Sequence, residues 1–160
     1  MIRLYHGSNT KIEVPDLTHS KPFKDFGRGF YLSEEKQQAW DMAFQKVNQT
    51  QEGKAEITEF LFDETVLLSD DYKVLNFPDY SEEWALFVLA NRNKNAKQPY
   101  HDYDIVYGPI ANDGVTYQLR RYEGGVISLA RLVEELKYAK GITFQYFFGT
   151  ERALQLLRRS

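Results

Sequence analysis

Asp25-Phe26-Gly27-Arg28-Gly29-Phe30-Tyr31-Leu32-Ser33 sets two glycines one residue apart directly before an aromatic and aliphatic run. Glycine reaches backbone angles closed to other residues and lets neighbouring groups approach the main chain, so Gly27 and Gly29 predict a tight bend. The bend feeds a strand, Phe30-Tyr31-Leu32. Ser33 reads as a helix N-cap with Glu34 and Glu35 in the first turn, and Trp40, Ala43, Phe44 and Val47 then recur on one helical face. A strand therefore delivers an aromatic pair to a helix N-terminus, where backbone amides suit an anion and the Tyr31 ring offers a planar ligand a stacking surface. The same residues also fit a glycine turn before an ordinary core strand, and this segment alone does not separate the two readings.

The 160 residues predict one domain, 1–160, able to bury roughly two thirds of its unfolded surface without staples. The absence of cysteine excludes disulfides, thiolate metal sites and cysteine nucleophiles. No apolar run approaches bilayer length and no secretory leader is evident, so the expectation is a cytoplasmic protein with no membrane partner. A secreted effector without a leader would have the same composition. A net charge of -3 lacks the basic excess of sequence-independent nucleic-acid binders. The 11 Tyr and 11 Phe suit a domain carrying a cleft.

In chain order, Ile2 to His6 alternates as a short strand and stops at a Gly7-Ser8-Asn9 turn, leaving His6 at its end. Residues 10–26 lack periodicity and read as a loop long enough to cover a site. Ala55 to Phe62 and Val66 to Leu68 read as strands, and Val74-Leu75 as a further short apolar piece. From Ser81, Trp84, Phe87, Val88 and Asn91 share a face of a largely apolar, central helix, with Arg92 serving its C-terminal dipole. Tyr103 to Pro109 is a strand, followed by a turn at Asn112-Asp113-Gly114. Asp104 and Asp113 bracket that unit in positions suited to local backbone hydrogen bonds. Ser128 caps another helix, and Thr150 caps a last one through Leu157 with Glu151 in its first turn. On the final strand, Ile142 to Phe148, Gln145 faces either solvent or a site. Interspersed strands and helices without regular alternation argue an α+β fold.

The histidines His6, His19 and His101 lie far apart, and no serine elbow or phosphate loop occurs. The segments Leu4-Tyr5-His6-Gly7-Ser8, Asp25 to Ser33, Tyr103 to Asp113 and Phe144 to Leu154 resemble the DUF3990 family over nearly the whole chain. That family is grouped with the ADP-ribosyltransferase fold, and the first two segments resemble the His-Tyr-Glu branch typified by diphtheria toxin and poly-ADP-ribose polymerases. The resemblance implies a split β-sandwich core with peripheral helices. It also implies that NAD is bound as substrate and its ADP-ribose passed to a macromolecular acceptor, in a toxin or effector neutralised by an antitoxin or immunity protein. His6 would then hold ribose hydroxyls, Tyr31 would stack on nicotinamide, and Gly7 and Ser8 would bind its carboxamide. Gly29 and Arg28 belong to the same NAD-contacting bend, with Lys21, Lys24 or Arg28 near the pyrophosphate. Gln145 matches the third position, where the branch carries glutamate. An amide binds a hydroxyl but supplies no negative charge to an oxocarbenium-like centre. A module that kept the fold and lost catalysis is the alternative.

Overall fold

The computed structural model describes residues 1–139 and 141–160, and its chain alternates irregularly between strands and helices. Strand β1 (Ile2–Ser8) is followed by β2 (Phe30–Leu32), helix α1 (Lys36–Thr50), β3 (Glu56–Phe62) and β4 (Val74–Asn76). Then come α2 (Glu82–Arg92), β5 (Ile105–Pro109), α3 (Asp113–Glu123), α4 (Leu129–Lys137), β6 (Phe144–Phe148), α5 (Glu151–Leu154) and β7 (Arg158–Arg159). One sheet has the order β1-β3-β7 and the other β2-β6-β5-β4, mostly antiparallel, with β4 parallel to β5. This is an α+β architecture.

Alternation along the strands builds two cores from one set of residues. Leu4, Phe60 and Phe62 of the first sheet meet Phe30, Leu32, Ile105, Tyr146 and Phe148 of the second in the interior between them. The opposite face of the second sheet sends Val106 and Phe147 against Trp84, Ala85 and Val88 of α2, Val115 and Leu119 of α3, and Leu132 and Leu136 of α4. Trp84 is fully buried, and its indole N–H donates to the Pro109 carbonyl at 3.1 Å. A main-chain bridge joins the two sheets: Tyr5 N–H donates to the Ser33 carbonyl at 2.8 Å, and Ser33 N–H returns the bond at 2.9 Å.

Several expectations are corrected. β1 continues through Gly7 and Ser8, paired with Ile57 and Glu56, instead of turning there. Ser33 does not cap α1, because its backbone serves the sheet junction and its hydroxyl accepts from Glu35 N–H. The helix starts two residues later, with no side-chain cap and no acidic residue in its first turn. Ala39 and Ala43 form its buried face, whereas Phe44 is exposed and stacks on Trp40. Val66 to Leu68 belongs to a 3-10 turn over Glu64–Leu68, capped by Asp63, whose carboxylate accepts from Thr65 N–H at 3.0 Å. Asn112-Asp113-Gly114 opens α3, with the Asn112 side chain accepting from Val115 N–H. The last helix ends at Leu154 and gives way to β7.

Asp104 locks the far end of the second sheet. Its buried carboxylate accepts from Thr150, Arg152 and the Lys73 backbone, and Gly149 N–H donates to its carbonyl. Burial pushes its carboxyl upward, but these donors outweigh that effect and hold it at about 2. In the first sheet, Gly7 lets α1 lie close on β1: a β-carbon there would stand 1.9 Å from the Ala39 carbonyl oxygen of that helix. Gly7→Ala should therefore push α1 off β1 and cost about 1–3 kcal/mol, the usual range for overpacking, read as a lower midpoint in urea unfolding.

Candidate functional site

His6 lies on the stretch of β1 nearest the sheet junction, and its ring lies flat on Phe30 with centroids 4.0 Å apart. Its Nδ1 is 2.7 Å from the Tyr31 carbonyl. A carbonyl only accepts, so Nδ1 carries the proton and Nε2 is left as a bare acceptor. Burial lowers the imidazole to about 4, over the opposing pull of the Tyr31 carbonyl and with help from the charges of Lys46 and Lys24. At neutral pH, His6 is an uncharged ring with one fixed donor and one free acceptor.

Tyr31 is the neighbour of Phe30 on β2, so its side chain leaves by the opposite face and packs at 5.3 Å from Phe147 and 6.3 Å from Phe26. The phenol does not reach open solvent as a free hydroxyl. It donates to the Gly27 carbonyl at 2.7 Å and accepts from Phe26 N–H at 3.0 Å, and burial, with the Asp25 charge, raises its pKa. The ammonium of Lys24 stands 5.3 Å from the ring centroid, over the surface expected to receive a planar ligand. Stacking on Tyr31 thus requires Lys24 to move aside.

Gln145 lies two residues from Phe147, the register partner of Tyr31, and shares its face. It is buried, and its Nε2 donates to Asp25 Oδ2 at 3.3 Å. Tyr31 and Gln145 are brought together beneath Asp25-Phe26-Gly27. His6 is joined to them through the Tyr31 main chain and not by convergence of the rings.

The glycine bend holds that segment in place. Gly27 has φ 95°, in the left-handed region, and a β-carbon on Gly29 would stand 2.1 Å from the Phe147 ring. The hydroxyl of Ser20 accepts from Gly29 N–H at 2.8 Å and donates to its carbonyl at 2.7 Å. Gly7 faces α1, Ser8 is buried, and Arg28 is exposed. Ahead of α1, the Ser33 and Glu35 amides are already bonded and Glu34 accepts from the Tyr146 hydroxyl, whereas the helix itself begins at Lys36 without a side-chain cap. Positive charge gathers elsewhere. Lys24 is lowered by lost solvation of its ammonium, then by Lys46 and Lys21, and Lys46 by lost solvation and Lys21. These lysines lie near one another and near His6, without a salt bridge among the described residues.

Residues that sequence reading passed over complete the arrangement. Arg92 is not a dipole partner alone: its guanidinium grips Asp25, with Nε 2.9 Å from Oδ1, and reaches Thr116 at 3.1 Å. His101 holds the same segment by Nε2, 2.7 Å from the Phe26 carbonyl, while its Nδ1 accepts from Tyr103 N–H. Phe26 itself is fully buried.

A family model described as a protein of unknown function, DUF3990, matches residues 2–158. The chain belongs to the DUF3990 family. No curated protein matches it. No helix among the described residues is long and apolar enough to cross a membrane.

His6 supplies a pH test of the geometry. A folded pKa of about 4 against 6.5 in the unfolded chain means that the folded state binds fewer protons between those values. Its contribution is fully present above 6.5 and declines as pH falls towards 4. The ring should titrate near 4 by NMR, and the loss of melting temperature across that window should flatten in His6→Gln.

Proposed function

We propose that this DUF3990 protein binds NAD at the junction of its two sheets and transfers ADP-ribose to a macromolecule. The observation that carries the reading is His6, held neutral with its Nδ1 proton on the Tyr31 carbonyl and its Nε2 free to accept a ribose hydroxyl. Tyr31, beneath a displaceable lysine, offers the ring for nicotinamide. Lys21, Lys24 and Lys46 supply charge for a pyrophosphate, a role that displaces Lys24 from the ring as the ligand arrives. The reading is supported by the resemblance to ADP-ribosyltransferases, whose split β-sandwich is compatible with two sheets sharing one interior core.

In the transfer, the C1′–N bond breaks and its electron pair leaves with neutral nicotinamide. A nucleophile of the acceptor bonds to C1′ and gives up its proton to solvent. The protein's part is to fix the ribose and immobilise the leaving group while positive charge grows on the sugar. Gln145 orients a hydroxyl without offsetting that charge, so turnover should be slow beside that of a site carrying a carboxylate.

The neutral Gln145, already engaged by Asp25, favours a second reading, a non-catalytic module that binds a nucleotide or a protein. Incubation with labelled NAD and a bacterial lysate separates them. Transfer predicts released nicotinamide and label on macromolecules, both lost in Tyr31→Ala and His6→Ala. Nicotinamide release without attachment identifies an NAD glycohydrolase. Binding without either signal identifies the module.

A further inference from the structure

The carboxylate of Asp25 has no spare capacity. Oδ1 accepts from Nε and a terminal nitrogen of Arg92, and Oδ2 accepts from Ala111 N–H at 3.0 Å and from Gln145 Nε2 at 3.3 Å. A carboxylate offers about four acceptor positions, and four donors occupy them. Because an ionised carboxylate only accepts, it dictates which end of the Gln145 amide faces it. The NH2 group must point to Asp25, so the carbonyl Oε1 points away.

Oε1 has no hydrogen-bond partner among the described residues, yet it is not among their buried unpaired atoms, so it keeps contact with solvent. It lies on the face of the β2–β6 pair that carries Tyr31. Arg92 fixes Asp25 from α2, and the guanidinium is itself held by Thr116 of α3 and the Ala111 carbonyl. Arg92, the Ala111 amide and Gln145 all meet on the Asp25 carboxylate, which in turn orients one side-chain amide with its remaining acceptor in contact with solvent. A packing amide needs no such orientation, since either end can face a mixed environment.

We infer that Asp25, backed by Arg92, is a positioning residue that locks Gln145 as a neutral hydrogen-bond acceptor for a hydroxyl of the bound nucleotide. This rests on the nucleotide-binding reading above. It carries a consequence contrary to simple expectation: Gln145→Glu, which restores the residue usual at this position in the resembling branch, weakens the site. The new carboxylate would face Asp25 at hydrogen-bond distance, with no proton left between them once the pH is high enough to ionise both. A transposition of the charge, Asp25→Asn with Gln145→Glu, removes the like-charge pair and lets the amide introduced at position 25 donate to the new carboxylate, at the cost of the acceptor that Asp25 Oδ2 offers Ala111 N–H.

The test is calorimetric titration of the full chain with NAD, with melting curves against pH. Gln145→Glu should bind NAD about ten-fold more weakly, as expected for a disrupted charged hydrogen-bond network, and should melt lower as pH rises through its raised carboxyl pKa. The double variant should bind NAD more tightly than Gln145→Glu alone and lose that pH dependence, the signature of direct coupling between the two positions. Gln145→Met, close in shape and unable to bond Asp25 or accept from a ligand hydroxyl, should fold and still lose about ten-fold. That variant decides the matter even if both charged variants unfold. NAD binding by Gln145→Met equal to wild type overturns the inference, as does an unweakened Gln145→Glu or a folded double variant that keeps the pH dependence of Gln145→Glu. A wild-type protein that binds no NAD overturns the nucleotide reading itself, and the role of Oε1 with it.

Discussion

The Asp25 carboxylate is the point on which the candidate site depends. It binds Arg92 from α2, the Ala111 amide before α3 and Gln145 from β6, and it does so from the segment that leads into the Tyr31 strand. Removing a buried charge from its partner costs far more than an exposed pair contributes, because the remaining charge is left without solvent. The pair is largely withdrawn from water, with side-chain exposures of 27% for Arg92 and 13% for Asp25. Phe26 and Gly27, immediately after Asp25, are then held by His101 and by the Tyr31 hydroxyl. A three-residue segment is thereby fastened to one helix, two strands and two loops.

The fastening decides what the site can do. Tyr31 has spent its hydroxyl on the main chain, so only its ring is available to a ligand. His6 has spent Nδ1, and Gln145 has spent its NH2 group. What remains is an aromatic face, two neutral acceptors and a set of mutually repelling lysines. On the proposed reading these groups would meet the hydroxyls, phosphates and planar head of a nucleotide, with no carboxylate among them. The lysines repel one another, so an anion bound among them, as the proposed reading has the pyrophosphate, would relieve a cost already present in the free protein.

Much of this is legible in the sequence where local chemistry governs. The Gly27 bend, the Phe30 to Leu32 strand, the Ser81 and Ser128 caps and the buried Trp84 each follow from residues close in sequence. The failures share a cause. Ser33 has the chemistry of a cap, but a long-range bridge to Tyr5 claims its backbone first. Helix α3 buries only Val115 and Leu119 among polar residues, too sparse an apolar stripe to show a helical period. Asp25 and Arg92 are 67 residues apart, and no spacing rule links a carboxylate in a loop to a guanidinium at a helix end. Gln145 stands out as a polar residue in an aromatic strand, but its orientation depends on that same distant pair.

The most direct test of the account is a titration of the labelled protein with NAD, followed by backbone and side-chain amide NMR. The expected result is a set of shifts confined to Gly7, Ser8, residues 20–31, Lys46 and the Gln145 side chain, with the His6 ring changing at Nε2 while Nδ1 keeps its bond. Shifts centred instead on the cavity lined by Lys11, Ile57, Glu59 and Arg159, or no shifts at all, would contradict it.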